Sequence, residues 1–98
     1  MGDNMLYKDL LKKINENNGF LVDVRSVQSY NSFHINNAIS IPLEQIPLVI
    51  ESIFPNKKTH LFIICDYGIK SNKAVDLLHN KGYENITNIN KISNIIFD

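Results

Sequence analysis

Cys65 opens the run Cys65-Asp66-Tyr67-Gly68-Ile69-Lys70-Ser71 and is the only cysteine in the chain. An apolar stretch enters this run and an amphipathic one leaves it. A loop so placed can turn its backbone N–H groups inward and form a nest for an anion. The following helix would add its unpaired N–H groups and the positive end of its dipole. Gly68 permits a bend that a side chain would block, Ser71 suits the helix N-cap, and Lys70 sets a cation at the rim. Each feature favours a thiolate, the nucleophilic form of cysteine. Asp66 opposes it with a like charge beside the sulfur unless its carboxylate points away. Taken singly, each residue has a plainer reading. Cys65 would be a small core residue at a strand end, Lys70 a solvated charge, Gly68 an ordinary turn, and Tyr67 a surface residue or one wall of a pocket. The whole string between a strand and a helix points to a nucleophile in an anion cradle. A nucleotide P-loop is excluded, because there is no second Gly and no Gly-Lys-Ser/Thr. One Cys and the scattered His34, His60 and His79 offer no metal-ligand spacing.

The elements that must position this loop follow from hydrophobic periodicity. Leu6, Leu10 and Ile14, joined by Tyr7 and Leu11, predict a helix over 5–14, with Asn4 able to cap its start and Gly19 beyond its end. Phe20 to Val24 is a short apolar run ending at the charged pair Asp23 and Arg25, which predicts a buried strand meeting a polar edge. Ala38 to Ile41 is a second short strand, stopped by Pro42. Ile46, Val49, Ile50, Ile53 and Phe54 have helical spacing, and Pro47 suits a first turn. His60 to Ile64 is the clearest strand and leads directly into Cys65. From Ser71 the pattern turns helical through Ala74, Val75 and Leu78, and Gly82 ends it. Ile86 to Ile89 predicts a last strand, and Ile92 to Phe97 a final short helix. Strands alternating with helices predict an α/β fold, a small mainly parallel central sheet flanked by helices on both faces. In such sheets the ligand site lies beyond the carboxyl ends of the strands, which is where Cys65 falls.

The 98 residues allow one domain, 1–98, with a modest core. Apolar residues at 44% and charged residues at 20% exclude a disordered chain. A formal net charge of zero gives no bias toward nucleic acid or an anionic membrane. No apolar run is long enough to cross a bilayer, and Met1 to Asn18 is too polar for a signal peptide. With a lone cysteine, no internal disulfide can form, which suggests a reducing cytoplasm.

In four segments, in order, the chain resembles the rhodanese-like (single-domain sulfurtransferase) family. Leu21-Val22-Asp23-Val24-Arg25 resembles its strand ending in Asp-x-Arg. His34-Ile35-Asn36-Asn37-Ala38-Ile39-Ser40-Ile41-Pro42 resembles its His-Ile-x-x-Ala-x-x-Ile-Pro segment. Cys65-x-x-Gly68-x-Lys70-Ser71 resembles its Cys-x-x-Gly-x-Arg-Ser loop, and Gly82-Tyr83-Glu84-Asn85-Ile86 its Gly-Tyr/Phe-x-x-Val segment. The resemblance implies that Cys65 accepts a sulfane sulfur as a persulfide and passes it to a nucleophile. It implies that the N–H groups from Asp66 to Ser71 (Asp66, Tyr67, Gly68, Ile69, Lys70 and Ser71) hold the outer sulfur and the substrate anion. Asp23, Arg25 and His34 would form a hydrogen-bonded cluster at the strand ends that supports the loops. The six residues from Cys65 to Lys70 match the sulfurtransferase loop, where related phosphatases carry one residue more.

The chain departs from the family at four places. Lys70 stands for Arg and loses the planar fork that grips oxyanions, which predicts weak thiosulfate handling. Ser29 stands for the Glu before the aromatic Tyr30, leaving Asp23 as the available partner for Arg25. Phe33 stands for the Gly before His34. Around Lys91-Ile92 the usual Gly-Gly is missing, and Ile96 stands roughly where Trp would be. The leading expectation is a thiosulfate sulfurtransferase that takes sulfur from thiosulfate or another persulfide donor and gives it to a thiol or cyanide, with a protein acceptor also open. It requires no cofactor, metal, nucleic acid or membrane. The alternatives are a non-catalytic binding or regulatory module and a small Cys-dependent phosphatase or arsenate reductase.

Overall fold

The computed structural model describes residues 4–97. The central sheet is parallel throughout, with strands in the order β3-β2-β4-β5: β2 is Phe20–Asp23, β3 Ile39–Ser40, β4 Leu61–Cys65 and β5 Ile86–Lys91. The chain begins with β1 (Met5–Leu6) and α1 (Tyr7–Glu16), and α2 (Val27–Ser32) follows β2. A 3-10 turn over Leu43–Gln45 leads into α3 (Ile46–Ile53), and α4 (Ile69–Asn80) follows β4.

Strand β4 lies between β2 and β5, and all five of its residues are buried. That explains its unbroken apolar sequence, since both faces of an interior parallel strand meet helices. Alternation along the strand divides the core in two. Leu61, Ile63 and Cys65 join Val22, Val24, Ile46 and Ile50 from α3, and Ala74 and Leu78 from α4. Phe62 and Ile64 face the other way, onto Leu21, Ile35, Ala38 and Leu10 from α1. Helices therefore cover both faces of the sheet. Burying a side chain such as Leu10 contributes about 1.5–3 kcal/mol.

Tyr83, 1% exposed, joins two elements of the first layer: its hydroxyl donates to the carbonyl oxygens of Phe54 at 2.6 Å and Ile50 at 3.2 Å. The left-handed Gly82 (φ +95°) closes α4 and turns Tyr83 inward. Burial raises the phenol above its ordinary pKa. The folded state thus holds this proton more tightly than the unfolded chain. The contribution to stability is complete below the ordinary phenol pKa of about 10 and falls as pH rises above it. Tyr83→Phe should lower stability by about 1–2 kcal/mol at neutral pH and flatten the loss between neutral and strongly alkaline pH. Urea unfolding across that range checks both effects; an unchanged alkaline slope would remove Tyr83 as its source.

Three expectations are corrected, and one helix was missed. The first helix starts at Tyr7, not Met5, and Asn4 does not cap it. Leu6 occupies the N-cap without a side-chain bond, because Met5 and Leu6 form β1. The segment after Lys91 is a 3-10 turn over Ile92–Asn94 and then β6 (Ile95–Ile96), not a helix. Buried Ile95 pairs with Met5 in a two-stranded parallel sheet, and this pairing outweighs helical spacing. Strand β5 extends past Ile89 to Lys91 by bulging, so that Ile63 faces Asn88 but Ile64 faces Asn90. Finally, α2 was not legible, because none of its residues is buried and no apolar stripe announces it. Its start is defined by Ser26, whose hydroxyl accepts from the Ser29 N–H at 3.2 Å.

Candidate active site

Cys65 is the last residue of β4 and 1% exposed as a residue, yet it lines a cavity of about 240 Å³. The cavity walls are Arg25, Ser26, Ser29, Asp66, Tyr67, Ile69 and Lys70. The Sγ atom accepts the backbone N–H of Gly68 at 3.0 Å and of Ser71 at 3.3 Å. Two N–H dipoles converge on one buried sulfur, and α4 begins at the same place.

Ser71 is not the helix cap. Gly68 takes that position in the left-handed region (φ +88°), α4 starts at Ile69, and the Ser71 hydroxyl donates back to the Gly68 carbonyl oxygen at 3.1 Å. The reason is the sulfur. Both N–H groups reach Sγ only if the chain turns sharply at residue 68, which brings the helix start forward. Ser71 is fully buried within the first turn and braces that bend from inside.

Asn90 was missed by sequence reasoning. Its own φ is +81°, and its Oδ1 is buried without a hydrogen-bond partner among the described residues. A Cβ placed on Gly68 would overlap that oxygen. Asn tolerates the left-handed region better than other side chains, so a bulged Asn near the place where the family carries Gly-Gly was the available signal. Gly68→Ala should therefore combine a left-handed penalty of about 1–2 kcal/mol with overpacking of about 1–3 kcal/mol. Asn90→Gly in the same chain should restore the overpacking part. A double-mutant cycle by urea unfolding checks this, and strict additivity would mean the two residues do not meet.

Behind the cavity lies an ion cluster. Arg25 donates through Nε to Asp23 Oδ1 at 3.0 Å and through Nη2 to Asp23 Oδ2 at 2.8 Å. Its Nη2 also donates to the Phe33 carbonyl oxygen at 2.6 Å, and Nη1 reaches Asp66 Oδ1 at 3.4 Å. The backbone N–H of Arg25 donates to Asp23 Oδ1 at 3.0 Å. Hydrogen bonding to Asp23 raises the guanidinium pKa above its ordinary value, against the burial that would lower it. Asp23 thus fills the role left by Ser29, whose hydroxyl instead accepts from Ser26 at 3.1 Å. Asp66 is held on the Arg25 side by its ion pair.

His34 does not belong to this cluster. It is exposed, its ring stacks on Tyr30 at 3.8 Å, and its Nδ1–H donates to the Tyr30 carbonyl oxygen at 2.9 Å. The contact expected of it is made by the carbonyl of its neighbour Phe33. His34 supports Tyr30, whose hydroxyl donates to the Ala38 carbonyl oxygen at 2.7 Å and ties down the loop before β3. Of the loop residues, Tyr67 is 80% and Ile69 64% exposed at the cavity mouth. Lys70 lines the wall without an ion pair among the described residues. Among the described residues, no helix is long and apolar enough to cross a membrane.

The chain can now be set beside known proteins. The family model of the rhodanese-like domain matches residues 6–91, which takes in both the Asp23–Arg25 cluster and the whole loop. Thiosulfate sulfurtransferase PspE of Escherichia coli is 30% identical over 74 residues, covering 76% of this chain and 71% of PspE. The adenylyltransferase and sulfurtransferase uba4 of Ogataea parapolymorpha is 36% identical over 70 residues, but the match covers 71% of this chain and only 18% of uba4. Among solved structures, a rhodanese with anions from E. coli superposes with a TM-score of 0.75 at 28% identity, covering 82% of this chain and 94% of that one. A family-model match across nearly all of the described chain and a shared α/β architecture agree on one assignment: the chain belongs to the rhodanese-like family.

Proposed function

We propose that this protein is a sulfurtransferase that carries a sulfane sulfur on Cys65. The observation that supports the reading best is the sulfur itself, buried at the floor of an open cavity and accepting two backbone N–H groups. In the first half-reaction the Cys65 thiolate attacks the outer sulfur of a donor such as thiosulfate. The new S–S bond makes a persulfide, and the S–S bond of the donor breaks to release sulfite. In the second, a thiol or cyanide attacks the outer sulfur, and Cys65 leaves as the thiolate. No electrons enter or leave overall, so no redox cofactor or metal is required. The N–H groups of the loop stabilise the charge on sulfur at both stages, without reorganisation. A protein thiol as acceptor fits this scheme as well as a small one, and neither nucleic acid nor membrane has a part in it. A thiol that must stay reduced between turnovers suits the cytoplasm.

The test is intact-protein mass after incubation with thiosulfate or a polysulfide, with and without later reduction. A gain of one sulfur atom, located on Cys65 by peptide mapping and lost on reduction, is the expected result. No adduct from either donor would favour a binding module. Steady, Cys65-dependent hydrolysis of an aryl phosphate would revive the phosphatase reading.

A further inference from the structure

Gly68 makes the shorter of the two N–H contacts to Cys65 Sγ, 3.0 Å against 3.3 Å for Ser71. Glycine has the widest conformational freedom of any residue, so a bend placed there must be held by its surroundings. The carbonyl side of Gly68 is tied into α4. Its oxygen accepts from the Ser71 hydroxyl and from the Asn72 N–H, each at 3.1 Å. The N–H side has only the sulfur, and sulfur is a weak acceptor.

Asn90 supplies the missing restraint. The bulge in β5 sets it opposite Ile64, one residue before Cys65. The three atoms nearest to where a Gly68 Cβ would stand are Oδ1, Cγ and Nδ2 of Asn90. The Asn90 amide therefore occupies the space of the side chain that Gly68 lacks. The arrangement is costly for Asn90 itself. Its backbone is left-handed (φ +81°), and its Oδ1 is buried with no hydrogen-bond partner among the described residues. Such orphaned acceptors are rare, and glycine at this position would relieve both costs. A side chain that breaks two local rules while packed on the loop is what a functional site leads one to expect.

We propose, on the sulfurtransferase reading, that Asn90 is a positioning residue for sulfur transfer: its amide wedges Gly68 in place and keeps the Gly68 N–H aimed at the sulfur of Cys65. Asn90 does not line the cavity over Cys65 and acts through Gly68. A fixed N–H stabilises charge on sulfur without reorganisation, whereas a drifting one must be brought back in each half-reaction.

Asn90→Gly tests this, because it removes the wedge and keeps the left-handed backbone. Amide hydrogen exchange of the folded protein, read by NMR without any donor, reports on the Gly68 N–H directly. Exchange at Gly68 should quicken about tenfold, while the Ile63 amide in the centre of β4 stays within about twofold. The urea midpoint should hold, since relief of the orphan acceptor and the strained backbone offsets the greater freedom of glycine in the unfolded chain. The maximal rate of Cys65 loading from thiosulfate or a polysulfide should fall about tenfold, with the half-saturating concentration within about twofold. Complete loss of a preorganised donor costs roughly a hundredfold or more, and here the N–H is loosened, not removed. Asn90→Asp keeps the shape of the wedge and tolerates a left-handed backbone, so Gly68 exchange should stay within about twofold of the wild type.

Unchanged Gly68 exchange in Asn90→Gly would overturn the proposal, as would full-speed loading despite a loosened Gly68. Exchange in Asn90→Asp as fast as in Asn90→Gly would show that shape is not the cause. A lower urea midpoint with faster exchange throughout the sheet would leave Asn90 a merely structural residue. Wild-type loading by neither donor would overturn the sulfurtransferase reading, and with it the use of the wedge, while Gly68 exchange still decides whether the wedge exists.

Discussion

Cys65→Ser is expected to abolish persulfide formation and leave the domain folded. The two halves of this expectation have separate causes. An alkoxide is far less accessible than a thiolate at neutral pH, and among the described residues no side-chain base is hydrogen-bonded to position 65 to activate a serine hydroxyl. The neighbours of Sγ are the N–H groups of Gly68 and Ser71, which donate and cannot accept a proton. The loop nevertheless keeps its partners, because a serine oxygen can accept both N–H groups. Buried among Ile63, Val24 and Ala74, the hydroxyl costs about 1–2 kcal/mol, or a Tm lowered by roughly 4–16 °C for a domain of this size. Intact mass and a thermal melt on the same sample check both halves. Sulfur gained by a folded Cys65→Ser protein would move the nucleophile elsewhere. A collapsed melt would mean that sulfur packing, more than N–H pairing, holds the loop, and Cys65→Ala would then separate the two.

Asp23→Ala should be the most damaging single change to stability, at about 3–5 kcal/mol out of a total of roughly 5–15 kcal/mol. Asp23 is 1% and Arg25 6% exposed, so neither charge is solvated. Removing the carboxylate takes away three contacts to the guanidinium and the acceptor for the Arg25 backbone N–H. Arg25 would retain the Phe33 carbonyl and the longer contact to Asp66, which places the loss toward the lower end of the range. Asp23→Asn keeps the shape and one acceptor and should cost clearly less. Urea midpoints for the two variants give the comparison. A loss below about 1 kcal/mol for Asp23→Ala would mean that Arg25 finds water on breaking free, and that the pair is not closed.

The position of Cys65 was legible because two strong local signals met. Four apolar residues, Leu61 to Ile64, with no polar alternation read as a strand covered on both faces, and a cysteine directly after them emerges at its carboxyl end. Helices α3 and α4 were legible for a similar reason. Ile46 and Ile50, like Ala74 and Leu78, are core residues at helical spacing, so pattern and packing agree. The family resemblance also pointed from Arg25 to Asp23, since Ser29 stands where the family carries a carboxylate.

Tertiary structure decided what depends on contacts between distant segments. Ile92 to Phe97 has spacing compatible with a helix, yet Ile95 pairs with Met5 some ninety residues away, a partner that no local pattern can name. The helix cap moved from Ser71 to Gly68 because Sγ draws two N–H groups toward one point, a demand set by the end of β4 and not by capping propensity. His34 lost its place beside Arg25 to the Phe33 carbonyl, since a backbone oxygen is available whatever side chain it carries. Asn90 met Gly68 through a bulge that shifts the register by one residue, and that shift brings the β5 side chain against the loop. The charge of the site follows the same rule. The sequence contains Arg25, Asp66 and Lys70 as separate ions, and only the fold pairs the first two and leaves the third facing the sulfur's cavity.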